Sequence, residues 1–186
     1  RGACGMTKTA FEFDVAWALD QGRRTTQEDA IAVEFPTGGE HGIVVLADGL
    51  GGHAAGDVAS RLVVDEVLGE LRSSCAGSLG ETSAIPGLLR RAAKNANDCL
   101  RRRLETDASV AGMASTLVAM LQIREALYWV SVGDSVIYLY RGGQLSRLNG
   151  NHSLAPQIDF LVKNGAIPAE KGDSHPSRSC LTSALT

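Results

Sequence analysis

Two amphipathic helical stretches lie side by side between two blocks of strand-like sequence, and this segregation is the strongest constraint on how the chain folds. Val58, Leu62, Val63, Val67, Leu68 and Leu71 recur at helical spacing, with Arg61, Asp65, Glu66, Glu70 and Arg72 marking the wet side. Residues 73–84, rich in Ser, Gly and Ala, read as a loop. A second helix is expected from Pro86 to Leu104, with the proline in its first turn and Leu89, Ala92, Ala93, Ala96, Leu100 and Leu104 as the buried stripe. Its Arg101-Arg102-Arg103 run offsets a helix dipole and is not taken as a binding patch.

Upstream, Phe11, Phe13, Val15, Trp17 and Leu19 alternate with other residues at the period of a half-buried strand. Residues 29–35 predict another strand, ended by the turn Pro36-Thr37-Gly38-Gly39. The apolar run Gly42–Ala47 predicts a strand buried on both faces, which stops abruptly at Asp48-Gly49. Downstream, residues 114–122, 126–132 and 136–140 are strand-like, the last two joined by Gly133-Asp134-Ser135. Gly142-Gly143 opens a hairpin into Gln144–Leu148. Residues 151–175, with a short helical stretch ending at Asn164-Gly165, predict a mobile excursion over a surface. A doubly wound fold would alternate strands with helices. Here they come in blocks, so the class is α+β: two antiparallel sheets with helices packed outside.

Length and charge narrow the function. The 186 residues suit one domain. A net charge of −3 lacks the basic excess of a sequence-independent nucleic-acid or membrane-surface binder. No apolar run approaches membrane-spanning length and no secretion signal opens the chain. Cys4, Cys75, Cys99 and Cys180 are scattered without a CxxC pair, which fits isolated thiols, each small and buried, in a reducing cytoplasm.

The chemistry gathers around Asp48. A carboxylate at the mouth of a buried strand is costly unless it meets a metal or a donor. Gly49 is expected to turn the backbone sharply, aiming its carbonyl at the same point as the Asp48 side chain, and hard cations take oxygen ligands of both kinds. An isolated Asp-Gly would be a plain turn. This one is preceded by Arg24-Thr25-Thr26-Gln27-Glu28-Asp29. Neighbouring strand residues face opposite sides, so Glu28 is assigned to the metal side and Asp29 to a supporting position. Arg24 offers a planar fork matched to phosphate oxygens, and Arg23 is not excluded by its chemistry. The glycines at 49–52 do not make a nucleotide loop, since no lysine follows in Walker spacing and no GxGxxG occurs.

Taken in order, Arg24-x-x-x-Glu28-Asp29-Ala30 and Asp48-Gly49-Leu50-Gly51-Gly52-His53-x-x-Gly56-x-x-Ala59-Ser60 are followed by Ser115-Thr116-Leu117-Val118 and Val132-Gly133-Asp134-Ser135-x-x-Tyr138-x-Tyr140-Arg141. His152-Ser153-Leu154, His175-Pro176 and Leu181-Thr182-x-Ala184-Leu185 complete the series. The ordered set resembles the metal-dependent protein phosphatase family, often called type 2C, in its bacterial form. The resemblance implies a four-layer α/β/β/α sandwich and hydrolysis of phosphoserine and phosphothreonine by a metal-activated water. It implies two ions, Mn²⁺ or Mg²⁺, bridged by Asp48, with the Gly49 carbonyl and Glu28 serving one of them and Asp134 a weaker third. Arg24 is then the phosphate holder and His53 a candidate general acid, against the alternative that His53 only caps the following helix. The implied partners are a phosphorylated protein and, acting in opposition, a serine/threonine kinase, with no nucleic acid and no membrane; the setting is cytoplasmic signalling.

The resemblance also has gaps. Asn151 stands where relatives often carry Asp, and Ser183 where Arg is common. The family continues beyond the equivalent of Thr186 to two further metal-holding aspartates. The chain is therefore read as a disordered or vector-derived segment 1–10 and a catalytic domain 11–186, with a flap at about 151–175, incomplete at its C-terminus. A non-catalytic binding or regulatory module is the alternative that the missing aspartates favour.

Overall fold

The structure, a computed structural model, describes residues 12–51, 54–76 and 82–186. Strands β1 (Asp29–Glu34) and β2 (His41–Leu50) lead into helix α1 (Ala54–Ala76) and helix α2 (Ile85–Thr106). Then come β3 (Ala114–Ser115), β4 (Leu117–Ile123), β5 (Ala126–Val132), the ribbon β6 (Tyr138–Arg141) and β7 (Gln144–Arg147), and the short helices α3 (Ala155–Lys163) and α4 (Ala169–Asp173). One antiparallel sheet runs β1-β2-β4-β5, with β3 also paired to β2, and β6-β7 forms a second, two-stranded sheet. The expected α+β class, with two antiparallel sheets and segregated helices, is what forms.

The helices cover one face of the larger sheet because each presents a small-residue or β-branched stripe to it. Ile43, Val45 and Ala47 of β2 point into that layer, where Ala59, Val63, Val67 and Leu71 of α1 meet Ala92, Ala96 and Leu100 of α2, all essentially buried. Alanines on α2 let the two helices approach closely. Arg91 and Asn95 of α2 both bond the Glu70 carboxylate of α1, at 2.7 Å each. At the end of α2, Arg103 pairs with Asp107 at 2.8 Å.

Several expectations need correction. Residues 12–19 form no strand: Val15, Trp17 and Leu19 are exposed, Phe13 meets Phe35 edge-on at 5.1 Å, and Phe11 lies outside the described residues. Alternation prepares a segment for a sheet, but a ladder partner makes it a strand, and none pairs with it among the described residues. Strand β2 is buried on one face only. Val44, Leu46 and Asp48 lie on the other, half-buried side. The expected loop at 73–84 begins late, since α1 continues to Ala76 and Ser73 satisfies its hydroxyl on the Gly69 carbonyl at 2.8 Å. The thiols are not core residues either: Cys75 and Cys99 are half-buried and Cys180 is exposed, all unpaired, while Cys4 lies outside the described residues. Among the described residues no helix is long and apolar enough to cross a membrane.

The excursion at 151–175 holds α3 and α4, and its base is stitched down. Leu154 N–H reaches the Cys180 carbonyl at 2.9 Å, and Thr182 N–H the His152 carbonyl at 2.8 Å. Just beyond, Leu185 exchanges backbone bonds with Ser115 at 2.9 and 3.0 Å, fastening the last residues to β3.

Candidate metal and phosphate site

Asp48 stands directly opposite Asp29 in the β1–β2 ladder. Opposed residues of an antiparallel pair share a face, so the two carboxyl groups are forced together. Burial first, then the negative charge of Asp29, push the Asp48 carboxyl up from its ordinary 3.8 to about 6. The Arg24 guanidinium pulls it down, while Asp134 and a hydrogen bond with the Asp29 side chain push it further up. Two segments far apart in sequence, residues 24–29 and the turn at Asp134, thus act on one carboxylate.

Glu28 precedes β1 and so escapes strand alternation. Its backbone carbonyl accepts the Gly49 N–H at 3.0 Å, and its carboxylate lies 3.6 Å from the Arg24 guanidinium. Arg24, which is largely exposed, is the arginine that reaches it, on the rim of an open cleft of about 280 Å³ shared with Thr25 and Thr26.

Gly49 does not turn the chain, contrary to expectation. It continues β2 opposite Ser115, and the first left-handed glycine of this loop is Gly51, at φ 137°. Gly49 is required for a different reason: a Cβ there would sit 1.9 Å from the Gly56 carbonyl oxygen and 2.8 Å from that of Glu28. Gly56 at the start of α1 is its counterpart. A Cβ on Gly56 would lie 3.0 Å from the Gly49 carbonyl oxygen and 3.1 Å from the Glu28 carboxyl carbon. The missing side chain of Gly56 therefore leaves the Gly49 carbonyl and the Glu28 carboxylate close to one another. His53, the candidate acid, lies outside the described residues.

Asp134 occupies the turn after β5, and that turn is held from three sides. Gly133 donates to His152 Nδ1 at 3.2 Å and accepts from the His152 N–H at 3.1 Å. The buried Asn149 side chain donates to the Ser135 carbonyl at 2.8 Å and accepts from Ile137 N–H at 2.9 Å. Arg147 reaches the Asp134 carbonyl at 3.4 Å while also bonding the Asn149 and Gly150 carbonyls at 3.0 and 3.2 Å. Next to this cradle, the Asn151 side-chain oxygen is buried with no partner among the described residues.

A profile of the family described as Protein phosphatase 2C matches residues 21–178. The chain belongs to that family. It is 37% identical over 144 residues to the serine/threonine protein phosphatase PstP of Mycobacterium tuberculosis, which covers 77% of this chain and 26% of PstP. Its fold overlays the crystal structure of serine/threonine phosphatase Stp1 from Staphylococcus aureus with a TM-score of 0.74 at 30% identity, over 89% of this chain and 63% of Stp1. A structure of the PstP catalytic domain in complex with two manganese ions matches with a TM-score of 0.65 at 30% identity, over 88% of this chain and 62% of that one. The chain thus spans about a quarter of the curated relative and less than two thirds of the solved domains.

The oxygen donors of this phosphatase 2C chain suit a hydrated hard cation. Among the described residues no three His, Cys, Asp or Glu side chains form a ligating cluster. What they offer is a crowded carboxylate, a second carboxylate and a backbone carbonyl, the set with which Mg²⁺-type ions keep several waters. The Asp48 carboxyl is raised first by burial and then by neighbouring carboxylates, and a bound cation would offset both. Ser115 and Thr116, part of the strand block quoted above but given no role there, bond the Asp48 peptide from sixty-odd residues away. Gly56 likewise has no role that its sequence position discloses. Only the Gly49–Gly56 approach reveals one.

Proposed function

We propose that the full-length protein carrying these residues is a metal-dependent serine/threonine protein phosphatase. The observation that carries the proposal is the half-buried Asp48 carboxyl, crowded by Asp29 and Asp134 and faced by Arg24, in a chain of the phosphatase 2C family. Two bound divalent ions, Mn²⁺ or Mg²⁺, would supply Lewis acidity and a water of lowered pKa. Asp48 is the residue assigned to bridge them, with the Gly49 carbonyl and Glu28 toward one ion, Asp29 supporting Asp48, and Asp134 toward a weaker third. Arg24 sits at the exposed rim, where its fork meets the phosphoryl oxygens of a docked phosphoserine or phosphothreonine. His53 is assigned the proton for the departing serine or threonine oxygen, a role that suits a group titrating near neutrality.

The substrate is a phosphorylated protein, its phosphate placed by a serine/threonine kinase. The free thiols of Cys75, Cys99 and Cys180 suit work in a reducing compartment such as the cytoplasm. The intact Arg24, Glu28, Asp48, Gly49 and Asp134 set favours the enzyme over a non-catalytic module.

The deciding experiment assays the full-length protein on p-nitrophenyl phosphate and on a phosphothreonine peptide. Turnover is expected with Mn²⁺ or Mg²⁺ and none in EDTA; turnover that persists in EDTA refutes the proposal. In the same assay Arg24→Ala is expected to raise KM about tenfold or more, the worth of one charge-assisted hydrogen bond, with a smaller change in kcat. An unchanged KM would move the phosphate contact to Arg23.

A further inference from the structure

Ser115 and Thr116 are polar residues sealed inside an apolar layer, 0% and 1% exposed. A buried hydroxyl is costly unless it is bonded, and valine would fill the same volume as threonine without that cost. The hydroxyl of Thr116 must therefore be sought in its partners. Thr116 lies between β3 and β4, where regular pairing to β2 breaks: the register runs to Leu46↔Val118 on one side and resumes at Gly49↔Ser115 on the other. In that gap Thr116 N–H donates to the Asp48 carbonyl at 2.9 Å, but the Asp48 N–H bonds the Thr116 side chain, Oγ1, also at 2.9 Å. A side-chain oxygen has replaced a ladder carbonyl. The Ser115 hydroxyl completes the arrangement, bonding the Asp48 carbonyl at 3.2 Å and the Thr116 carbonyl at 2.9 Å.

The other side of Thr116 faces the acidic turn. Its Oγ1 lies 2.9 Å from the Ser135 hydroxyl. Its methyl carbon would be 2.6 Å from a Cβ on Gly133, so the turn rests on the methyl as well. Gly133 and Ser135, the two residues Thr116 touches, flank Asp134. One side chain thus contacts both the peptide that carries Asp48 and the turn that carries Asp134.

We propose that Thr116 is a positioning residue that holds Asp48 and the Asp134 turn in fixed relation through the chain Asp48 N–H to Thr116 Oγ1 to Ser135 Oγ. The proposal rests on the phosphatase reading for its metal consequence, while the hydrogen-bonded hold itself is independent of that reading. Thr116 touches neither substrate nor reacting atoms. It acts by fixing the direction of the Asp48 carboxylate, as partners behind a ligand do for metal sites generally.

The test uses the full-length protein and three variants: Thr116→Val, which keeps shape and removes the hydroxyl; Thr116→Ser, which keeps the hydroxyl; and Ser135→Ala, a milder cut on the far side. The first readout is hydrogen exchange of the Asp48 amide in metal-free protein, and the second is Mn²⁺ affinity by calorimetry with the metal alone. Thr116→Val is expected to speed exchange at Asp48 and to weaken Mn²⁺ binding about tenfold or more, the usual cost of losing a partner behind a ligand. Thr116→Ser is expected to restore both, and Ser135→Ala to shift both in the same direction by less. Wild-type exchange and affinity in Thr116→Val overturn the proposal, as does an equal loss in Thr116→Ser, which would make the methyl the operative group. Should Thr116→Val fail to fold, Ser135→Ala decides, and its indifference in both readouts also overturns the proposal. If wild-type protein binds no Mn²⁺, the phosphatase reading falls, and the exchange data alone still judge the hold on Asp48.

Discussion

Replacing Asp48 with alanine is expected to lower kcat/KM on p-nitrophenyl phosphate by at least about a thousandfold, the several kcal/mol that correctly held metal ions contribute to such a reaction. Mn²⁺ binding should be lost in the same preparation, and a variant that keeps turnover or metal removes Asp48 from the bridging position. The metal-free protein should respond in the opposite direction. Folding raises the Asp48 carboxyl from 3.8 to about 6, so the folded state holds this proton more tightly than the unfolded chain does. Below pH 3.8 both states are protonated and the group is neutral in its effect. As pH rises toward 6 the unfolded chain releases the proton first, folded stability falls, and above 6 the penalty is complete. For a half-buried group in contact with solvent the penalty is on the order of 1 kcal/mol. Asp48→Asn removes it, so in EDTA the variant should melt roughly 2–4 °C above wild type at pH 7.5, with the gap closing near pH 4. A variant that melts lower at pH 7.5 would show that the carboxylate is already compensated.

The second large effect belongs to a residue with no side chain. Gly49→Ala places a methyl 1.9 Å from one backbone oxygen and 2.8 Å from another, and neither atom is the free end of a flexible side chain. The strand or the start of α1 must move, a cost of about 3 kcal/mol or more. The melting temperature should fall by roughly 6–12 °C, and Mn²⁺ affinity should fall with it because the Gly49 carbonyl is displaced. Gly69→Ala in α1 is the matched control: nothing lies within 4 Å of its added methyl, and helix propensity should raise stability by about 1 kcal/mol. Equal melting temperatures for the two alanine variants would remove the close approach between Gly49 and Gly56 from the account.

Much of the fold was legible because periodicity is local. The stripe Leu89, Ala92, Ala93, Ala96, Leu100 and Leu104 follows from 3.6 residues per turn, and the structure buries all but Leu104, which is half-buried at the helix end. The apolar run before Asp48 is a strand, and Gly142-Gly143 closes a hairpin as its turn chemistry demands. Residues 12–19 were misread for the complementary reason. Their alternation is as regular as any in the chain, yet a strand exists only by hydrogen bonds to another, which a period cannot report.

The site divides along the same line. Asp48, Glu28 and Arg24 could be named from residue types, since few side chains hold hard cations or phosphate. That Asp29 opposes Asp48, rather than merely adjoining Glu28, depends on register between two strands. The reason for Gly49 was read from the chain as a sharp turn and proves to be a steric encounter with Gly56. Thr116 stands in a strand block that marks the family, but nothing in the sequence says what its hydroxyl does.

The sequence by itself determined the order of helices and strands, the apolar faces they bury, and the residue types able to meet a cation and a phosphate, because each of these is written within a few residues. Only the tertiary structure decided which carboxylates crowd one another, why a side chain is forbidden at Gly49, and that a threonine hydroxyl joins two acidic segments. Those facts are distances between atoms remote along the chain, and such distances exist only once packing has closed them.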